Sequence, residues 1–239
     1  MIVSKIAVIS YNIPHRKTQD VLHGLKAKGY KDVKLFALPF VKRENPFIPI
    51  YQHRPNKAIQ ITPKNYCENF GYDFDLTSFE TIYSQLESYQ PDYIIIAGAG
   101  LLPNILVEKY KIINTHPGFL PFTRGLDSLK WAITNKTEIG VTTHFINEEA
   151  DAGFLIEQQH VPVYENDTFH SVAQRQYEME IEMLVNSLEI IPTITEFKSL
   201  SSSEHPATRR MPKLIEKNLL IAFEDYKQKF KIKNYLSIT

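Results

Sequence analysis

Apolar residues in this chain gather into short runs that alternate with amphipathic stretches. Ile6 to Ser10 reads as a strand, and Thr18 to Lys28 carries Val21, Leu22 and Leu25 at helical spacing before Gly29 closes it. Val33 to Leu38 reads as a second strand. Leu76 to Tyr89 then has Phe79, Ile82, Tyr83 and Leu86 on one helical face, with Gln90-Pro91 as a stop. Tyr93 to Ala97 is the most strand-like run, followed by a short helix at Asn104 to Lys109 and a strand at Ile112-Ile113. This alternation predicts an α/β fold: a Rossmann-like, mostly parallel twisted sheet with flanking helices. Val141 to Ile146 and Phe154 to Val163 are β-rich with no helix between them, which predicts an antiparallel addition. Thr168 to Ile191 is a long helix carrying Val172, Gln176, Met179, Met183 and Leu188, and Pro212 to Phe230 reads as one more.

Two stretches break the pattern. Pro39 to Asp75, rich in Pro, Asn, Lys and aromatic residues, is too long for a simple connector and predicts a functional or covering loop with some structure of its own. Beyond Pro192 the composition turns polar, so a main domain over 1–195 and a linker with a C-terminal helical tail over 196–239 are expected. From 204 to the end there are eight basic and four acidic residues. A solvated helical face is the commoner explanation of such a bias, an anion or partner site the rarer one. The tail's Leu214, Leu219, Leu220, Ile221 and Phe223 need a cover, which a homodimer or the chain's own domain would supply.

Composition narrows the classes. The 27 Lys and Arg residues balance 27 Asp and Glu residues, so no global field draws the chain to nucleic acid or an anionic membrane. With 43% hydrophobic and 23% charged residues, the 239-residue chain can bury a sizeable core. The single Cys67 excludes an intrachain disulfide framework and multi-cysteine metal sites, and the eight histidines show no chelating spacing, so no metal is expected. No secretory signal is evident, and the most apolar run, Tyr93 to Pro103, falls short of the ~20 residues that span a bilayer. A soluble, cytoplasmic protein is expected.

Ile112-Ile113-Asn114-Thr115-His116-Pro117-Gly118 is an apolar strand running into a turn, so Asn114 and His116, two apart, point to one side at the strand's carboxyl end. Ligands sit at that end in open α/β sheets. An amide and an imidazole together could supply an oxyanion donor and a proton acceptor for acyl transfer, although a lone strand-end histidine is more often structural. The wider pattern, Asn114-x-His116-Pro117-Gly118-x-Leu120-Pro121 with Asp151-x-Gly153 following 37 residues after the Asn, resembles the formyltetrahydrofolate-dependent formyltransferases, specifically over about Tyr93 to Leu188. The resemblance implies 10-formyltetrahydrofolate as co-substrate and an enzyme of one-carbon transfer. By it Asn114 would hold the oxyanion, His116 would carry the proton and Asp151 would orient His116. The loop Ala97-Gly98-Ala99-Gly100-Leu101-Leu102 would be the folate-binding turn, where glycine lets the backbone approach a ring closely. A dinucleotide fingerprint fails there, because Gly98 and Gly100 are followed by Leu101-Leu102-Pro103 without a third glycine.

Within that family the purine-pathway enzymes carry a glycine-rich phosphate loop after the first strand, whereas this chain has Ser10 to Thr18 without glycine. The tRNA-directed branch needs a sizeable second domain and basic surface. The run Phe119 to Gly125, continuing through Trp131, looks most like the sugar-nucleotide N-formyltransferases acting on dTDP-4-amino-4,6-dideoxyglucose for O-antigen and lipopolysaccharide synthesis. Asn12, Arg16, Lys17 and Arg124 are then expected to hold the nucleotide sugar, with Lys130 as a further anion contact and Tyr51, Arg54 and Tyr66 as base-stacking candidates. A glycinamide ribonucleotide enzyme and a non-catalytic folate- or nucleotide-binding module remain the alternatives.

Overall fold

Strands buried on both faces read as continuous aliphatic runs, and such strands assemble the centre of the computed structural model, which describes residues 4–42, 44–148, 153–200 and 206–232. The strands are β1 (Ile6–Tyr11), β2 (Val33–Leu38), β3 (Asp73–Leu76), β4 (Tyr93–Ile96), β5 (Ile112–His116), β6 (Gly140–Ile146), β7 (Gly153–His160) and β8 (Ser199–Leu200). Among the described residues they form one sheet in the order β3-β2-β1-β4-β5-β6-β7-β8. The first five run parallel and the last three add antiparallel. The predicted α/β architecture, with its antiparallel extension, is therefore observed.

The helices are α1 (Arg16–Ala27), α2 (Pro63–Phe70), α3 (Ile82–Tyr89), α4 (Asn104–Lys109), α5 (Ser128–Asn135), α6 (Phe169–Ile190), α7 (Lys213–Glu216) and α8 (Leu219–Phe230). One core layer joins Val21, Leu22 and Leu25 of α1 to Leu184, Val185 and Leu188 of α6 over β1 and β2. The opposite face packs Ile82 and Leu86 of α3 and Leu106 of α4 against Ala7, Ile9 and Phe36. A third cluster sets Leu219, Phe223 and Tyr226 of α8 against Leu129, Ala132 and Ile133 of α5.

Three of the expected elements have clearly different bounds. The helix expected from Leu76 starts at Ile82, because Leu76 ends β3 and the Thr81 hydroxyl accepts the Ser78 N–H in the turn between. The strand expected to reach Val163 ends at His160, just before Pro162, which cannot donate to a ladder. The helix expected over 212–230 breaks at Asn218, whose φ of −95° and ψ of 4° let Glu216 turn inward while Leu219 and Phe223 face α5. Leu219 and Phe223 thus find their cover within the chain, while Leu214, Leu220 and Ile221 are exposed. Within 39–75, α2 and β3 supply the expected local structure, with Thr62 capping α2 and Gly71 closing it at φ 69°. No helix among the described residues is long and apolar enough to cross a membrane.

Candidate functional site

The sheet order turns back at β1, whose neighbours β2 and β4 lead the chain in opposite directions, and ligand crevices open at such a switch point. A cleft of about 980 Å³ opens here, lined by His15 to Lys17 at the start of α1, by 96–102 after β4, and by Asn114 to Pro117 of β5. Gln52 to Asn56, Gly125 to Leu129 and Ala207, Thr208 and Arg210 close it on another side. This volume lies at the upper end of the range of small-molecule sites.

Asn114 and His116 share the cleft as the strand period requires. His116 is buried, with Nε2 2.7 Å from the Thr123 carbonyl and 3.3 Å from Ser128 Oγ. A carbonyl can only accept, so Nε2 carries a proton. Polar side chains from three elements hold the turn after His116. Thr142 Oγ1 donates to the Gly118 carbonyl and accepts from the Leu120 N–H, and Gln158 Nε2 donates to the Leu120 carbonyl at 2.7 Å. From α6, Gln176 Nε2 donates to the carbonyls of Pro117 and Gly140. Gly118 leaves no room for more: a Cβ there would lie 2.6 Å from His116 Nε2 and closer still to the Thr123 carbonyl.

The loop after β4 is tied to β1 by the Ala97 and Gly98 N–H groups, both donating to the Ile9 carbonyl. A Cβ on Gly98 would meet the His15 ring at 2.9 Å, whereas at Gly100 it would find only the Tyr11 hydroxyl, at 3.9 Å. The first glycine therefore serves packing and the second keeps the cleft open. Leu101 is 84% exposed at its edge, and Leu102, Val107 and Ile146 add apolar lining.

The far end of the cleft is ionic. Lys17 Nζ lies 2.7 Å from Glu180 Oε1, and Arg54 Nη2 donates to Glu180 Oε2. Burial opposes ionisation of Glu180, but Arg54 and Lys17 together outweigh it and hold its carboxyl at about 2. Two cations on one carboxylate leave a net positive corner, and burial, reinforced by Lys17 and Arg54, pushes the His15 imidazole below its ordinary range. Arg16 Nε and the Tyr177 hydroxyl both bond Asp20 Oδ2 at 2.7 Å. Burial, reinforced by Lys130, lowers His53 to about 4, although Asp127 lies 4.0 Å from its Nε2.

The structure brings Asn114, His116, the 97–102 loop, Arg16 and Lys17 to one cleft, while Asp151 lies outside the described residues. Other expected contacts sit elsewhere. Asn12 is exposed and outside the cleft lining, its N–H donating to the Leu38 carbonyl. Arg124 is buried rather than in the lining, and its carbonyl accepts from Thr208. Lys130 is fully buried on Glu216 and so is no anion contact. Tyr51 packs on Phe169, and Tyr66 packs on Phe70, so neither ring faces the cleft as a stacking surface. Gln176 and Glu180 were not expected; their signal is two polar residues four apart within the apolar stripe of α6.

Residues 50–188 match the family model described as formyl transferase, more than half of the chain. The chain belongs to the formyl transferase family. Methionyl-tRNA formyltransferase of Fusobacterium nucleatum is 32% identical over 177 residues, 69% of this chain and 53% of that one. Phosphoribosylglycinamide formyltransferase of Haemophilus influenzae is 34% identical over 127 residues, 50% of this chain and 56% of that one. The chain thus spans about half the length of the curated relatives it matches. A 4-N formyltransferase from Francisella tularensis shares the fold with a TM-score of 0.58 at 19% identity, covering 90% of this chain and 86% of that one.

Proposed function

We propose that this chain transfers the formyl group of 10-formyltetrahydrofolate to the amine of a nucleotide-linked amino sugar of the dTDP-4-amino-4,6-dideoxyglucose type. The observation that carries it is the placement of Asn114 and His116 in one cleft, between an open apolar loop and a positively charged corner. The loop fits a pteridine-like ring: its peptide groups and Gly100 leave a flat approach, and Leu101 and Leu102 offer apolar cover.

As the amine nitrogen bonds to the formyl carbon, Asn114 donates its amide N–H to the oxygen that takes up charge. His116 accepts the amine proton and returns it to the folate nitrogen as the old C–N bond breaks. Asp151 orients His116 and stabilises its charged form. Arg54 joins Arg16 and Lys17 at the end of the cleft suited to phosphate oxygens. The lack of glycine from Ser10 to Thr18 weighs against the ribonucleotide acceptor.

Mass spectrometry of parallel reactions with 10-formyltetrahydrofolate tests this reading. A formyl gain on the sugar nucleotide and none on glycinamide ribonucleotide is expected. A gain on the ribonucleotide alone would move the substrate to the purine branch, and none on either with intact folate binding would leave a binding module. His116→Asn should lower turnover by about 10²-fold or more, the usual size of a general-base contribution, with folate binding and Tm retained.

A further inference from the structure

Residues 50–56 cross one side of the cleft without regular secondary structure, yet Gln52, His53 and Arg54 form part of its wall. Glu216, at the end of α7, anchors them. Its Oε2 accepts the Ile50 N–H at 3.0 Å, and its Oε1 accepts the Tyr51 N–H at 3.1 Å and an ion-paired hydrogen bond from Lys130. Neither the Glu216 nor the Lys130 side chain has any exposed surface. Burial opposes the Glu216 charge, but Lys130 and the two backbone donors overcome that and hold the carboxyl below its ordinary range.

The same stretch of chain reaches the cleft a second time. Asp127 Oδ2 accepts the Met211 N–H at 2.9 Å, while its Oδ1 lies 3.7 Å from Arg210 and 4.0 Å from His53. Thr208 bridges to Gly125. His53 itself keeps a buried Nδ1 with no hydrogen-bond partner among the described residues. Loop 97–102, by contrast, takes its support from β1.

We propose that Glu216 is a positioning residue for the acceptor substrate: through the backbone of Ile50 and Tyr51 it holds His53 and Arg54 in the cleft wall, making the 206–216 segment part of the binding site. The proposal rests on the formyl-transfer reading for the identity of the acceptor. Lys130 supports the same wall by neutralising Glu216.

The test is the double substitution K130L/E216L, which removes both charges together and strands neither ion, while Ile50 and Tyr51 lose their acceptor. Hydrogen exchange at 50–56 should rise about tenfold or more with α1 and β4 unchanged, as local opening predicts. The KM for the sugar nucleotide should rise about tenfold, with kcat and the KM for 10-formyltetrahydrofolate within about twofold. Unchanged exchange at 50–56 in the folded variant would overturn the proposal, as would equal KM shifts for both substrates. If the double variant does not fold, Glu216→Gln decides with the same readouts: its amide keeps one acceptor oxygen, so intermediate exchange supports the anchor and wild-type exchange sinks it. Should the wild type formylate neither amine, the functional reading fails, and the exchange data alone still decide whether Glu216 anchors the wall.

Discussion

At the end of β5 the cleft wall is closed by neutral hydrogen bonds over moderate sequence distance: Thr142 reaches Gly118 across 24 positions and Gln158 reaches Leu120 across 38. The wall built from 50–56, 125–129 and 207–210 is closed by buried carboxylates over much longer distance, with Arg54 on Glu180 across 126 positions and Ile50 on Glu216 across 166. A turn held by backbone, hydroxyl and amide groups needs no ionised side chain to keep its shape. A wall of carboxylates lasts only while those groups stay charged, because a protonated one strands its cations in a desolvated site. The chemistry we assign to the first wall and the recognition we assign to the second should therefore separate under mutation and under acid.

The largest expected effect is Asn114→Ala, which removes a donor from the β5 wall. A loss of about 10²–10³ in kcat is expected, the size seen for a single oxyanion donor. Asn114 is only partly buried at the strand end, so the melting temperature should stay near that of the wild type. Steady-state kinetics beside a thermal melt check this, and a variant with near-normal kcat would remove Asn114 from the chemistry.

Gly118→Ala comes next and asks whether the β5 wall is as rigid as its bonds imply. The new Cβ would meet His116 Nε2 at 2.6 Å and the Thr123 carbonyl more closely, so the 118–123 turn must move and take the Nε2 bond with it. Overpacking of this kind costs about 1–3 kcal/mol, and kcat should fall about tenfold while the acceptor KM holds. An active, equally stable variant would show that the turn yields without disturbing His116.

The two walls also differ in how far they can be read from sequence. Strand periodicity puts Asn114 and His116 on one side, and the turn after them follows from Pro117 and Gly118, because each signal is local. The strand run at 93–97 and the helix at 104–109 were legible for the same reason. Lys130 reads as a surface cation because its partner, Glu216, lies 86 positions away, and no spacing rule connects them. The break at Asn218 was equally hidden: Pro212 to Phe230 has helical spacing throughout, and what the break accommodates, Glu216 on Lys130 and Leu219 and Phe223 on α5, is distant in sequence. Glu180 did leave a trace, as a charge inside the apolar stripe of α6, but such a residue names its need for a partner and not which partner.

The smallest effect sharpens the contrast by acid alone. His53 titrates near 6.5 when unfolded and at about 4 in the folded chain, where burial, Lys130, Arg54 and Arg210 outweigh Asp127. Between those values the unfolded state binds the extra proton, so the contribution is complete above pH 6.5 and is lost as pH falls toward 4. Glu180, held at about 2 against an ordinary 4.5, adds a second loss of the same sign between those lower values. His53→Gln should flatten the upper limb of a stability-versus-pH curve by less than about 1.4 kcal/mol per pH unit and leave the lower limb in place. Urea titrations from pH 7.5 to 3 measure both limbs. An unaltered upper limb in His53→Gln would mean that His53 is charged as readily in the folded wall as in water, and that this wall is more open than its bonds imply.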